Sequence, residues 1–189
     1  MSKLYFKYGA IGSSKTATLL MTKYNYEQKG FKVLLLKPEG DYNDGNNDQS
    51  VKSGVGLEST EAVSISPEDN MMDVYLRYKS HVILVDDAHF LKEEQVNQLH
   101  EVVDMYNIPV ICYGLMTDFT SHLFEGSKRL VEIAESLDEI KTVCTCGRKA
   151  TVNARINAAR RLVKTGEQIE FGQKDRYISL CYKCWSMLR

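Results

Sequence analysis

Leu4-Tyr5-Phe6-Lys7-Tyr8-Gly9-Ala10-Ile11-Gly12-Ser13-Ser14-Lys15-Thr16 is the stretch that decides the fold of this chain. Its first five residues are largely apolar, as in a buried strand, and apolar side chains follow at helical spacing towards Gly30. A glycine-containing loop between a strand and a helix is the layout of a phosphate-binding loop, whose backbone N–H groups surround phosphate oxygens. The stretch therefore predicts a nucleotide-binding α/β domain.

The loop matches the pattern G-x-x-x-x-G-K-[ST] except at one glycine. Gly9, Lys15 and Thr16 fit, whereas Ser14 stands where the second glycine belongs. In this pattern the Lys reaches the outer phosphates and the hydroxyl binds Mg²⁺. Alone, the imperfect match leaves open that Lys15 and Thr16 only begin an amphipathic helix, but the flanking strand and helix favour a phosphate-binding loop. The predicted nucleotide contacts are Gly9, Ala10, Ile11, Gly12, Ser13, Ser14, Lys15 and Thr16.

Length and composition indicate one globular domain or a domain with a small module. The chain has 189 residues, of which 43% are hydrophobic and 26% are charged, and its formal net charge is -1. That charge argues against a large non-specific surface for nucleic acid. The predicted first strand begins close to Met1, so we expect no signal peptide, and no apolar run reaches membrane-spanning length. We therefore expect a cytoplasmic protein with no nucleic-acid or membrane partner.

Strands alternate with helical patterns over the first 140 residues, which predicts a parallel sheet flanked by helices. Further strands are predicted at 32–38, 61–65, 81–85 and 109–113, and further helices at 70–78, 92–105 and 126–137. Residues 39–57 are rich in Gly, Asn, Asp and Ser, so this segment is predicted to be a loop that becomes ordered with ligand.

The strand at 81–85 ends in Asp86 and Asp87. Ligands of open α/β sheets gather at the carboxyl ends of the strands, and a carboxylate there can hold Mg²⁺ through water. Two acidic residues after a strand are common in ordinary loops. Together with Lys15 and Thr16, however, they indicate a magnesium–nucleotide site.

An apolar loop follows the strand at 109–113. It carries two Phe and two Leu between positions 114 and 124, which suits a pocket for a flat base. The alternative is ordinary packing under the next helix. His89 and His122 are more readily explained as structural residues than as ligands, and Cys112 as a small buried side chain of the core.

Two cysteine pairs bracket the last fifty residues. A disulfide framework is not expected in a cytosolic chain, and the spacing C-x-C…C-x-x-C favours a tetrahedral zinc site over free thiols. Such a site would stabilise a segment too small to hold a core alone. We therefore predict a P-loop α/β domain at 1–140 and a zinc-ribbon-like β module at 141–189. The predicted zinc ligands are Cys144, Cys146, Cys181 and Cys184.

Over nearly its whole length the chain resembles the type II, bacterial-type thymidine kinases. The resemblance rests on the 4–16 loop, Lys37-Pro38 with Asp41, Asp86-Asp87-Ala88-His89-Phe90, Tyr113-Gly114-Leu115, Asp118-Phe119, Leu123-Phe124-Glu125-Gly126-Ser127, the cysteine pairs, and Gly166-Glu167-Gln168-Ile169 through Tyr177. It implies a kinase that transfers the γ-phosphoryl group of ATP to the 5′-hydroxyl of thymidine or deoxyuridine. It also implies a homotetramer that is inhibited by dTTP.

The resemblance also implies roles for individual residues. Lys15 would bind phosphates, Thr16 and Asp86 would serve Mg²⁺, and Asp87 would be the catalytic base. The residues implied for the nucleoside pocket are Phe90, Leu115, Phe119, Phe124, Phe171, Gly172 and Tyr177, the last closing the pocket from a loop anchored by the zinc module.

At several positions the sequence departs from the family pattern. The family has Glu at Asp87, Gln at His89, Gly at Ser14, Arg at Asn43 and often Arg at Gly54. Because phosphoryl transfer depends on positioning and electrostatics, loss of one charged donor costs roughly 10²- to 10³-fold in rate. The alternative function is therefore a catalytically impaired homologue that binds nucleotide or nucleoside in a regulatory role. A zinc ribbon acting on nucleic acid is disfavoured, because the cluster of Arg155, Arg160 and Arg161 is small.

Overall fold

The computed structural model describes residues 1–39, 50–168 and 176–187. Its strands are β1 Leu4–Tyr8, β2 Val33–Pro38, β3 Val51–Lys52, β4 Glu58–Ser59, β5 Val63–Ile65, β6 Val82–Val85, β7 Val110–Gly114, β8 Ser136–Glu139, β9 Thr142–Val143, β10 Lys149–Ala150, β11 Val152–Ile156, β12 Leu162–Val163 and β13 Arg176–Leu180. Its helices are α1 Lys15–Glu27, α2 Met71–Tyr78, α3 Glu93–Tyr106, α4 Glu125–Ile133 and α5 Tyr182–Met187, with a 3₁₀ turn at Ala88–Phe90.

Within the described residues, a central sheet of six parallel strands has the order β5-β2-β6-β7-β1-β8. Alternate side chains enter two cores, one shared with α2, α3 and α4 and the other shared with α1. Strand β6 is buried throughout, as a strand covered by helices on both faces must be. The predicted parallel sheet flanked by helices is therefore confirmed, and Cys112 is a buried core residue, as expected.

The predicted helix at 126–137 is wrong at its C-terminal end. Helix α4 ends at Ile133, and Ser136–Glu139 is instead strand β8, which pairs with β1. The backbone N–H of Glu135 donates to the carbonyl of Leu4, and the Glu135 carboxylate accepts from the N–H of Leu4 at 2.7 Å. Pairing with the open edge of β1 therefore overrides the local helical pattern, as tertiary context commonly does.

The loop predicted at 39–57 is wrong over its last part. Val51–Lys52 pairs antiparallel with Glu58–Ser59, so a short β3–β4 hairpin occupies this region. Val51 is buried against α1 and the sheet, which anchors the hairpin. The other part of the predicted loop, residues 40–49, lies outside the described residues.

The residues after 140 form a small β module, as predicted. It contains the β9–β10 hairpin, an antiparallel sheet of order β12-β11-β13, and helix α5. Its apolar cluster contains two of the cysteines, Cys144 and Cys181. Arg155, which the sequence suggested as part of a basic cluster, is 2% exposed and contributes almost nothing to the surface. The domain boundary near residue 140 remains a prediction.

None of the helices in the described part of the chain is long and apolar enough to cross a bilayer.

Candidate active site

A cavity of about 520 Å³ lies where three parallel strands end. Ile11 follows β1, Asp87 follows β6 and Leu115 follows β7, and all three residues line this cavity. Ligands of α/β proteins bind at this edge of the sheet. The phosphate-binding loop and the aromatic pocket predicted from the sequence therefore face the same space.

The loop between β1 and α1 holds the Lys15 side chain inside it. The Lys15 ammonium donates to the carbonyls of Gly9 and Ala10, each at 3.0 Å, and to the Ser13 hydroxyl at 3.3 Å. Burial lowers the pKa of Lys15 to about 8, and the carboxylates of Asp87 and Asp86 oppose this shift. The ammonium is thus held beside the backbone that a phosphate group would contact.

The two positions at which the phosphate-binding pattern has glycine are Gly9 and Ser14 in this chain. A Cβ on Gly9 would lie 2.3 Å from the Ile140 carbonyl oxygen, so this residue must be glycine. Ser14 has φ 61° and ψ 29°, which is the left-handed conformation. An L-residue adopts this conformation at a cost of about 1–2 kcal/mol, whereas glycine adopts it freely. Ser14 therefore holds a backbone conformation that glycine would adopt without this cost, and it adds a Cβ.

Thr16 and Asp86 place a hydroxyl and a carboxylate next to each other. The Thr16 hydroxyl lies 3.4 Å from both Asp86 carboxylate oxygens. Burial, followed by repulsion from Asp87, raises the pKa of Asp86 to about 7. Neighbouring oxygen ligands of octahedral Mg²⁺ lie about 3 Å apart, and a cation would favour the ionised carboxylate. This donor set fits the predicted Mg²⁺ site.

Asp87 projects into the cavity from a strained backbone. Its φ of 47° and ψ of 39° are left-handed, and its side chain is 45% exposed. Residues held in this strained backbone conformation cluster at functional sites. Asp87 is therefore a carboxylate that solvent and a bound substrate can both reach.

His89 is a buried side chain in the wall of the cavity. Its Nδ1 accepts from the N–H of Leu115 at 3.3 Å, which places the ring proton on Nε2. Burial lowers the pKa of His89 to about 4, with Lys15 adding to the shift and Asp87 opposing it. The ring packs 4.0 Å from the ring of Phe90 and 4.8 Å from that of Phe124, measured between centroids. The structural role expected for His89 stays a prediction.

The aromatic residues predicted for the nucleoside pocket come together in the structure. The predicted members that line the cavity are Phe90, Leu115, Phe119, Phe124 and Tyr177. The Arg155 guanidinium lies 5.2 Å from the centroid of the Phe119 ring, a cation–π contact that supports Phe119. Phe171 and Gly172, also predicted for this pocket, lie outside the described residues.

The four cysteines predicted to bind metal form one cluster. All four Sγ atoms lie within 4.8 Å of one another, and those of Cys146 and Cys181 are 3.6 Å apart. Thiolates around tetrahedral zinc, with Zn–S of about 2.3 Å, lie about 3.8 Å apart. Gly147 has φ 80° and donates its N–H to the Cys144 carbonyl, which closes the tight turn between the first two cysteines. The cluster therefore fits zinc.

Comparison with known proteins gives the family. A family model described as thymidine kinase matches residues 2–185. The chain belongs to the thymidine kinase family. The thymidine kinase of Rhodopirellula baltica is 42% identical over 185 residues, which cover 96% of this chain and 86% of that protein. The thymidine kinase of Enterobacteria phage T4 is 44% identical over 195 residues, which cover 100% of this chain and 97% of that protein.

Three of the residues that depart from the family pattern, Ser14, Asp87 and His89, line the cavity. Ser14 lies in a left-handed conformation that glycine adopts freely, and Asp87 keeps a carboxylate in the cavity. Gly54, one of the departures named above, also lines the cavity, whereas Asn43 lies outside the described residues. Among the described positions, these departures leave the phosphate loop and the acidic group in place.

Sequence reasoning assigned no site role to four polar residues that line the cavity, which are Ser53, Asp118, Asn153 and Gln168. Asp118 accepts hydrogen bonds from Thr120, from the N–H of His122 and from the Gln168 amide at 2.9 Å. A signal was available for Asn153, because it is a polar residue at the centre of strand β11. Gln168 stands in a motif of the family resemblance, but its hydrogen bond is made to Asp118, which is 50 residues away.

Proposed function

We propose that this protein transfers the γ-phosphoryl group of ATP to the 5′-hydroxyl of thymidine, giving dTMP, and that it accepts deoxyuridine as well. The observation that carries the proposal is that the phosphate-binding loop, a carboxylate and an aromatic pocket line the same cavity. Phosphoryl transfer requires this juxtaposition, because catalysis consists of holding the two substrates in line and neutralising charge.

At the phosphate end, Lys15 and the backbone N–H groups of the 9–16 loop bind the ATP phosphates. Lys15 can exchange its loop carbonyls for phosphate oxygens, because it already lies among them. Thr16 and Asp86 would hold Mg²⁺, which when bound would neutralise charge on the phosphates. Asp86 would be ionised in that state.

Asp87 accepts the proton of the nucleoside 5′-hydroxyl. It is the partly exposed carboxylate of the Asp86–Asp87 pair, and it lines the cavity beside Lys15. A carboxylate serves as a general base when it reaches the hydroxyl within hydrogen-bond distance. Asp is one methylene shorter than the Glu of the family pattern, so the nucleoside must approach it more closely.

The nucleoside base occupies the aromatic end of the cavity. Phe119 and Phe124 are buried in its wall, and Tyr177 lines it from strand β13. Flat apolar walls favour a base. This supports a nucleoside as the phosphoryl acceptor, and the choice of a pyrimidine rests on the family.

The four cysteines would hold one structural Zn²⁺ ion as thiolates, and the ion would stabilise the β module. A homotetrameric assembly, feedback inhibition by dTTP and a cytoplasmic location complete the proposal and rest on the family.

The decisive experiment measures dTMP formation from ATP and thymidine, with deoxyuridine and deoxycytidine as alternative acceptors. We expect turnover with the first two nucleosides and none with Lys15→Ala. Lys29→Ala, which removes an exposed lysine just beyond α1, is the matched control and should behave as the parent. A parent protein that binds ATP and thymidine but forms no dTMP would instead support the regulatory alternative.

A further inference from the structure

Asn153 connects two loops of the candidate active site that belong to different strands. Its Oδ1 accepts from the backbone N–H of Ile11 at 2.7 Å, and its Nδ2 donates to the carbonyl of Thr117 at 2.6 Å. Ile11 belongs to the phosphate-binding loop, and Thr117 belongs to the loop after β7 that carries Leu115 and Phe119. Asn153 is 3% exposed, so both hydrogen bonds are shielded from water.

The chemistry of this position selects asparagine. One partner is a donor and the other is an acceptor, and a primary amide presents both an acceptor oxygen and a donor nitrogen on one planar group. Aspartate could accept from Ile11 but would place a second acceptor against the Thr117 carbonyl. Alanine would leave both backbone groups without these bonds, which is costly when they are buried.

Asn153 also links the two loops to the β module. It lies on β11 opposite Ser179 of β13, and β13 leads directly into Cys181 of the cysteine cluster. A side chain on this sheet can therefore hold the phosphate loop and the nucleoside loop at a fixed separation.

We propose that Asn153 is a positioning residue for phosphoryl transfer, which sets the distance between the phosphate-binding loop and the nucleoside loop. This inference rests on the proposed kinase function. The two substrates react only when the attacking oxygen and the phosphorus are about 3–3.5 Å apart, and a displacement of about 1 Å can cost 10²-fold in rate. Both polar atoms of the Asn153 amide are bonded to the two loops, so it acts through them.

The experiment compares Asn153→Ala, Asn153→Asp and a control, Asn157→Ala. Asn157 makes a local turn contact with Arg161 in the same module and does not join the two loops. For each protein, kcat, the separate affinities for ADP and thymidine, the zinc content and hydrogen–deuterium exchange at the Ile11 amide are measured.

We expect kcat to fall about 10- to 100-fold in both Asn153 variants, because the loops are no longer held in register. The affinity for each ligand measured alone should stay within about threefold of the parent, because each loop still forms its own subsite. The Ile11 amide should exchange faster in Asn153→Ala and remain protected in Asn153→Asp, which keeps an acceptor. Asn157→Ala should match the parent in every measurement.

Two results would overturn the inference. Unchanged kcat and unchanged Ile11 exchange in Asn153→Ala would show that the bridge does not matter. Loss of zinc, or a parallel loss of both ligand affinities, in both Asn153 variants would show a purely structural role. If the parent itself forms no dTMP, the proposed function fails, while Ile11 exchange in the three variants still decides whether Asn153 holds the phosphate loop.

Discussion

Two residues of the site, Ser14 and Asp87, lie in the left-handed conformation with φ of 61° and 47°. Neither is glycine, so each stores conformational free energy that the surrounding structure must offset. Ser14 ends the loop between β1 and α1, and Asp87 follows strand β6. At both positions the backbone turns beside the cavity. The strained backbone at these two positions therefore accompanies the placement of the phosphate-binding loop and of the Asp87 carboxylate at the cavity.

Substitution of Asp87 tests its role as the base. Asp87→Asn should lower kcat about 10²- to 10⁴-fold, because an amide cannot accept the 5′-hydroxyl proton, while ATP binding is retained. Asp87→Glu restores the family residue, and its longer reach should raise turnover. Steady-state kinetics of dTMP formation check both, with Asp73→Asn on the exposed face of α2 as the control. Equal turnover of Asp87→Asn and the parent would remove Asp87 from the mechanism.

His89 should make the protein sensitive to acid. Burial lowers its pKa in the folded protein from 6.5 to about 4, so the unfolded chain binds a proton below pH 6.5 that the folded chain rejects. Stability is then lost as the pH falls from about 6.5 towards 4, by about 2 kcal/mol at pH 5.

The variant His89→Gln removes this titration and should lose about 2 kcal/mol less stability than the parent between pH 7 and pH 5. Denaturant unfolding at the two pH values measures the difference. His81→Gln makes the same change at an exposed position and is the control. A parent and His89→Gln variant with the same acid response would mean that His89 is not buried in neutral form.

At the scale of elements, helix α4 packs against the 3₁₀ turn that carries His89 and Phe90. A Cβ on Gly126 would lie 2.6 Å from the Leu91 carbonyl oxygen and 2.7 Å from that of Ala88. Glycine inside a helix is ordinarily less stable than alanine by about 1 kcal/mol. Here the close approach of two backbones reverses that preference.

Gly126→Ala should therefore destabilise the fold by about 1–3 kcal/mol, because neither carbonyl can move without shifting the turn. It should also weaken thymidine binding, since Phe90 and Phe124 flank the same contact. Denaturant unfolding and calorimetry measure the two effects, with Lys128→Ala on the exposed face of α4 as the control. A stabilised Gly126→Ala protein would show that the helix and the turn can separate freely.

The β module depends on its cysteine cluster, because its apolar cluster is small and includes two of the ligands. The purified protein should contain about one zinc per chain, and Cys181→Ser should lose it together with thymidine binding. Cys112→Ala removes a cysteine from the main core and should keep the metal. Elemental analysis measures the zinc content of each protein. A parent protein without zinc, whose module has four reactive thiols, would contradict the proposed zinc site.

The strands and helices found from the sequence were those with strong local patterns. The run before Gly9 and the run before Asp86 are almost wholly apolar, and both form strands of the central sheet. Strand β8 was missed because its formation depends on the edge of β1, more than 120 positions earlier in the chain. The β3–β4 hairpin was missed for a similar reason, since its anchor is a single buried side chain, Val51.

The same distinction holds in the candidate site. Lys15, Thr16 and Asp87 stand in motifs that local sequence displays, and the structure places all three at the cavity. Asn153 bonds to residues that lie 36 and 142 positions away in the sequence. Gln168 bonds to residues that lie 45 and 50 positions away. No local pattern encodes such partners, so only the folded chain reveals them.

At the scale of the whole molecule, one cavity joins the phosphate-binding loop to the aromatic pocket. A thymidine derivative that carries its own triphosphate can therefore place its base against Phe119 and direct its phosphates towards Lys15. Such a molecule would occupy part of both substrate subsites. This geometry offers a physical route for inhibition by dTTP.

We expect dTTP to compete with thymidine and with ATP, because its base and its phosphates each exclude one substrate. Initial rates at varied thymidine and varied ATP would show an increase in KM for each, with kcat restored at saturation of the varied substrate. Tyr177→Ala should weaken inhibition by loosening the base end, and Lys29→Ala should leave it unchanged. Inhibition that stays non-competitive towards both substrates would instead place dTTP at a separate site. Binding of dTTP by Lys15→Ala with parental affinity would contradict the proposed phosphate contact.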